Sequence, residues 1–299
     1  MKKLLIILII SATGYIASAQ QMHFTSQYIA DNFLYNPAAA GMAGHSSVGA
    51  TYRSMWSGID GGPKTTMLYA DASLKKLKAG IAGYIYNDVT GPTKRTGVDL
   101  AYSYHIISRD EKKIFGMGIE LQALQFYYDM AKLAQYIPND PILSGASTKT
   151  LLDAGAGIYY KTQKLHLGAS VKQLIQSKLN LAQIPNTTEG SKLVRHFYFQ
   201  GGYDFNTGDN IILTPNAVFK YIPNAPAELN FGLIVNYKDL LYWGAGWTLK
   251  QSWVLQGGFT LNKKFSIGYA HNVYLTPLSV FEGGGGADEV FIRYDFRKK

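Results

Sequence analysis

Six histidines, at positions 23, 45, 105, 166, 196 and 271, are the side chains best suited to acid–base or metal chemistry in this chain of 299 residues. They are scattered, and no His-Glu-x-x-His pair sets two metal ligands on one helical face. A serine nucleophile needs a histidine within hydrogen-bond reach and a third group to orient it. No Gly-x-Ser-x-Gly elbow offers such a serine. Cysteine is absent, which removes thiolate catalysis, disulfides and cysteine-held zinc. Asp88-Val-Thr-Gly91 carries too few oxygens for a calcium loop. The run Gly283 to Gly286 lacks the strand-to-helix setting of a phosphate cradle and reads as a flexible loop tip. These residues point to no enzyme and call for no cofactor or metal.

The pattern around them is more informative. From Ser47 to Phe296 the chain repeats, about fourteen times, roughly ten residues of alternating apolar and small-or-polar side chains followed by a turn. Clear copies are Leu165 to Val171, Ala227 to Leu233 and Leu241 to Trp247. Side chains of a strand alternate between faces, so each copy has one apolar face and one polar or glycine face. Strands of about 9–11 residues, even in number, are what a transmembrane β-barrel requires. The fold class expected is therefore all-β: an outer-membrane barrel of about 14 antiparallel strands. Residues 1–19 read as a cleaved signal peptide, with Lys2 and Lys3, an apolar core and Ala17-Ser18-Ala19. Residues 20–46 form a lead-in or partial plug, and 47–299 the barrel. A secretion signal and a barrel together imply the outer membrane, with a periplasmic N-terminus.

The segments expected as strands are 47–56, 64–74, 78–88, 96–105, 114–124, 150–160, 164–172, 195–205, 211–221, 227–237, 240–249, 252–261, 264–272 and 289–296. Connections after the even-numbered segments are short and polar, whereas those near 125–149, 173–194 and 273–288 are long. That is the asymmetry of periplasmic turns and extracellular loops. The tight link at Lys250-Gln251 breaks the rule. Tyr52, Trp56, Tyr104, Tyr160, Tyr221 and Tyr237 fall at strand ends, as in an aromatic girdle. The net charge of +9 sits mostly in turns, which suits contact with anionic outer-membrane lipid. It is not gathered with aromatics on one face, so nucleic acid is no partner. Inward positions hold glycine with scattered Asp99, Glu120, Asp153, Lys172, Lys220, Glu228 and Arg293. Mixed signs suggest a salt-bridged interior or a narrow wet channel rather than an ion-selective ring.

The stretch from Gln20 to Gly44 does not alternate, and it holds Phe24, Tyr28, Phe33 and Tyr35 before Asn36-Pro37-Ala-Ala-Ala-Gly41. It is a periplasmic lead-in or a small plug, and the cost of exposing four aromatics favours the plug. These residues resemble the N-terminal signature of the PorP/SprF family. Arg53-Ser-Met-Trp56 followed by Gly61-Gly62-Pro63 is similar to its Arg-x-x-Trp and Gly-x-Pro stretch. Asp88 to Gly91 resembles its Asp-x-x-Gly loop after the third strand, and Asp288 to Phe296 its closing strand. The glycine run at 283–286 departs from the pattern and puts contacts carried over to that loop in doubt.

The resemblance implies a non-enzymatic outer-membrane component of the type IX secretion system, linked to gliding motility. Its expected partner is the C-terminal sorting domain of a secreted surface adhesin, held at the long loops for secretion and surface attachment. Contact of the short turns with periplasmic ring or translocon components is also implied. The residues carried over are Asn36, Pro37, Gly41, Arg53, Trp56, Gly62, Pro63, Asp88 and Gly91, as structural or partner contacts. The competing function is a channel for small or hydrophobic compounds. Such a channel needs an apolar pocket, and the inward positions here are glycine, serine and charge.

Overall fold

The computed structural model describes residues 31–132, 148–179, 191–208, 210–275, 278–281 and 285–297. The leader, Phe24, Tyr28 and parts of three long loops lie outside them. Each expected segment is a strand. They run β1 (Ser46–Met55), β2 (Lys64–Leu74), β3 (Ala79–Thr90), β4 (Thr93–Ile107), β5 (Ile114–Tyr128), β6 (Thr148–Lys161) and β7 (Leu165–Lys172). The second half comprises β8 (His196–Tyr203), β9 (Ile211–Tyr221), β10 (Glu228–Tyr237), β11 (Leu241–Thr248), β12 (Ser252–Leu261), β13 (Phe265–Tyr274) and β14 (Ala287–Phe296). Consecutive strands pair antiparallel, and β1 pairs with β14 from Ser46↔Phe296 to Met55↔Ala287, closing the barrel. Closure leaves the membrane-embedded part of the sheet without an edge, which a wall in hydrocarbon demands.

The alternation sorts as the pleat dictates. Leu68, Leu100, Ile119, Leu121, Leu152, Trp243, Trp253 and Leu255 are exposed on the outward face. Asp99, Ser103, Glu120, Gln122, Asp153 and Lys172 are buried inside. Among the described residues no helix is long and apolar enough to cross a membrane. Outward rings stack across neighbouring strands, as Phe231, Trp247 and Trp253 do with centroids 6.4 and 5.7 Å apart. The tight outer link is a genuine hairpin: Thr248 faces Ser252, and Lys250 takes a left-handed φ of 61°.

Three local expectations are corrected. Strands β4 and β5 each reach 15 residues, so the third and fourth strands meet at the two-residue turn Gly91-Pro92 rather than across a loop. Trp56 lies beyond β1 with a left-handed φ of 54°, and is not a lipid-facing strand residue. Gly285 and Gly286, at the end of the expected flexible tip, are held by Ser57 and Trp56. Strand length also varies around the barrel. At the outer end β4, β5 and β6, of 14 to 15 residues, extend well beyond β7 and β8, of 8 residues each. Strand β6 pairs with β5 along its length but with β7 only from Ala156 to Lys161. The extra residues form a flange standing above the apolar band.

The outward face yields a direct check. Replacing Ile119, 62% exposed within the band on β5, by arginine should destabilise the barrel by about 2–4 kcal/mol in liposome unfolding titrations. Lys64→Ala, at the outer end of β2, should leave the midpoint unchanged.

Candidate functional site: a seated inner segment and an outer rim

Residues 31–44 lie inside the wall as two single-turn 3-10 helices, Asn32–Leu34 and Pro37–Ala39. Pro37 suits the first helical position because its missing N–H has no partner there anyway. Asn36 caps that turn, its Oδ1 accepting the Ala38 N–H at 3.0 Å. Its amide group then donates to the wall, to the carbonyls of Ile158 (2.8 Å) and Ala169 (3.2 Å). Other side chains of the wall answer the backbone of the segment. Ser103 donates to the Ala38 carbonyl at 2.8 Å, Ser170 to Tyr35 at 2.6 Å and Lys161 to Met42 at 2.9 Å. Asp71 accepts the Gly41 N–H at 2.5 Å, and the His105 ring meets the Ala40 carbonyl at 2.9 Å. A short non-repetitive segment has no ladder of its own, so its buried polar groups need such partners.

The glycines of the wall supply the space. A Cβ at Gly80 would overlap the Ala40 carbonyl, at Gly118 the backbone of Ala38, and at Gly157 the Asn36 side chain. Gly41 runs against Gly80 with a left-handed φ of 70°, a conformation and an approach that a side chain would obstruct. Phe33, Leu34, Tyr35 and Met42 are buried with Tyr69, Tyr84, Tyr159 and Tyr198. Tyr35 meets Tyr198 edge-on at 5.4 Å. The entrance is tied by charge, with Arg293 on β14 lying 2.9 Å from Asp31 and 2.7 Å from Asp295. Burial pushes the Asp31 carboxyl above its ordinary range, and the Arg293 guanidinium opposes that rise.

Above this segment Lys172 is fully buried, 3.0 Å from Glu120 and 3.1 Å from the Tyr84 hydroxyl. Asp99 accepts from Tyr84 at 2.8 Å and from Gln122 at 2.6 Å. Buried charge is tolerated when its remaining hydrogen-bonding positions are filled in this way. The mixed lumen charges thus form ion pairs across the β3–β7 half. On the other half a polar cavity of about 490 Å³ remains at the inner mouth, bordered by Asp31, Lys161, Asp204, Tyr242, Gln256 and Arg293.

The other motif residues build the outer rim. Arg53 points inward and pairs with Glu289 at 2.9 Å, tying β1 to β14. The Pro63 carbonyl accepts the Met55 N–H and the Gly286 carbonyl that of Trp56, both at 2.8 Å. Gly62 packs where a Cβ would strike the carbonyls of Met55 and Trp56. The Gly91 N–H donates to the Gly61 carbonyl at 2.8 Å, joining the two hairpins. Asp88 is a strand residue, not a loop residue. It pairs with Arg95 at 2.6 Å and accepts from Thr65 at 2.8 Å. Six of the nine residues singled out from the sequence therefore meet at one rim, while Asn36, Pro37 and Gly41 stand apart in the inner half. Sequence reading missed the glycine seats, Ser103, Ser170 and Asp71. Their only signal was their shared inward parity.

The family model described as type IX secretion system membrane protein PorP/SprF matches residues 17–294. The chain belongs to the PorP/SprF family. No curated protein matches it in sequence. Among solved structures, this PorP/SprF chain is similar to the toluene transporter TbuX of Ralstonia pickettii at 13% identity, covering 89% of this chain and 93% of that one, with a TM-score of 0.52. It also aligns with the CymD monoaromatic hydrocarbon channel at 10% identity, over 96% and 97% of the two chains, with a TM-score of 0.49. The first likeness concerns the fold alone: an outer-membrane barrel. A type IX secretion component of the outer membrane is thus what the family and the fold describe together.

Removing one partner of a buried pair leaves an uncompensated charge. Arg53→Ala should therefore cost about 3–5 kcal/mol in unfolding titrations, and Arg53→Ala with Glu289→Gln together substantially less. Crowding of a glycine seat should release the inner segment without opening the wall. In a Gly118→Val protein, a cysteine placed at Asn36 should react with maleimide at least tenfold faster than in the Gly118 parent, the chain having no other thiol.

Proposed function

We propose that this PorP/SprF barrel is a non-enzymatic docking scaffold. It holds the C-terminal sorting domain of particular secreted adhesins at its extracellular rim, supporting their export and attachment to the cell surface. The observation that carries this reading is the contrast between the two ends. The inner half of the lumen is occupied by a segment seated on glycine and hydrogen-bonded along its backbone from Tyr35 to Met42. The outer end is broad, with three loops tied together by Gly61, Gly91, Gly285 and Gly286. Such an object favours presentation of a surface over passage through a bore. A channel for hydrophobic compounds would want an apolar lumen. The cavity here has a mixed lining, with Asp31, Lys161, Asp204 and Arg293 beside Phe33, Ile212, Ile234 and Phe291, rather than an apolar one. Basic inner turns, such as Lys75, Lys76, Lys112, Lys113, Lys263 and Lys264, suit anionic inner-leaflet lipid and an acidic periplasmic partner.

Deleting the chain identifies the adhesin that depends on it, and that adhesin's C-terminal domain becomes the probe. Replacing residues 57–62 by a Gly-Ser linker should leave barrel abundance in the outer membrane unchanged. It should weaken binding of the probe at least tenfold, about 1.4 kcal/mol, and shift the adhesin to the medium. Unchanged surface adhesin in the deletion strain, together with lost uptake of aromatic hydrocarbons, would transfer the assignment to transport.

A further inference from the structure

Among the described residues the flange carries an open sheet edge. Strand β6 rises above the level at which β7 ends, and over Thr148 to Gly155 its second side has no β7 partner. The chain leaves the ladder through left-handed φ values at Gln173 and Gln176, both 56°. Asp153 holds it off the ladder by accepting the N–H groups of Ile175 (2.9 Å) and Ser177 (3.2 Å). Beyond Ser177 a two-residue hairpin, Lys178–Leu179 with Ser191–Lys192, turns inward. There Leu179 and Leu193 pack on Leu124, Phe126 and Leu151. The Leu174 N–H and the Ser177 hydroxyl still reach the carbonyls of Ala154 and Leu152. Those contacts show that even-numbered residues of β6 direct their backbone away from β5. By the same parity, the N–H and C=O of Thr148 and Thr150 point into the gap. Among the described residues none pairs with them, and both threonines are exposed.

Unpaired strand edges are what proteins ordinarily shorten, cover or guard. This one is bordered by cations: Lys178, Lys192 and Arg195 are exposed, and Lys149 is half-buried. Among the described residues the nearby carboxylates are engaged, Asp153 with backbone N–H groups and Asp129 with the Lys132 N–H. Leu152 and Ile175, 68% and 60% exposed, add an apolar shoulder. The geometry points to strand addition as the mode of docking: Thr148 to Leu152 of β6 receives an extended edge strand, flanked by acidic side chains, from an extracellular β-domain. Main-chain hydrogen bonds then give affinity, and the lysines and the apolar shoulder give selectivity. The inference rests on the docking function proposed above and names its contact.

Proline at position 150 removes the central N–H of those that face the gap and spares the bonds between β5 and β6, as proline does on an edge. The probe is the purified C-terminal domain of the adhesin whose export is lost on deletion of this chain. In the free barrel, the amides of Thr150 and Leu152 should exchange within seconds and become at least tenfold slower once the domain binds. Thr150→Pro should weaken binding at least tenfold, Thr150→Val less than twofold, and both should remain heat-modifiable on gels. Slow exchange in the free barrel would mean that the edge is already covered, and would overturn the inference. Undiminished binding by Thr150→Pro, with binding still sensitive to the 57–62 replacement, would overturn strand addition and leave rim docking standing. Absence of binding to the unaltered barrel would overturn both.

Discussion

The fit between the Asn36–Gly41 segment and the glycines of β3, β5, β6 and β7 is the contact on which the rest of the barrel's organisation depends. Glycine inside a strand weakens it, since it adds no packing and has more freedom to lose. Here the lost side chains are replaced by a segment of the same chain. The Asn36 amide is answered by main-chain carbonyls of β6 and β7, and the backbone of Tyr35, Ala38, Ala40, Gly41 and Met42 by side chains of four strands, β2, β4, β6 and β7. Each bond contributes about 0.5–1.5 kcal/mol net, whereas each one left unmade inside would cost more. The segment is therefore seated in the wall at many points, and the Asp31–Arg293–Asp295 cluster fastens it to the closing strand.

The outer end follows a different rule. Once strands pass beyond the hydrocarbon, their outward face no longer has to be apolar. On β4 and β5 it carries Lys94, Thr96, Gln125 and Tyr127, while the inward face gains Leu124 and Phe126. The polarity of the pleat inverts, and the inward hairpin covers the new apolar side. Arg53–Glu289, Asp88–Arg95 and the bonds from Gly91 to Gly61 and from Trp56 to Gly286 hold this rim above the membrane.

Much of this was legible in the sequence. Period-two alternation found fourteen strands because bilayer and lumen impose opposite demands on alternate residues. It failed where those demands change. The ends of β4 and β5 were cut short because the outward apolar signal stops at the membrane surface while the strands continue. The motif Asp88 to Gly91 reads as a loop opening at the end of the third strand, whereas the tight turn at Gly91-Pro92 keeps Asp88 in the ladder and brings Arg95 back against it. The motif Asn36 to Gly41 and the inward glycines were both visible, but nothing local in either says that they touch. That relation spans 122 residues between Asn36 and Ile158 and exists only in the closed barrel.

The central claim is that the lumen is occupied and the barrel serves as a scaffold rather than a conduit. Planar-bilayer recording of the purified full-length protein tests it most directly. The unaltered barrel should show no steady conductance, and stable openings should follow once the Asn36–Gly41 segment is expelled by Gly118→Val. A stable open pore in the unaltered protein, unaffected by that substitution, would contradict it.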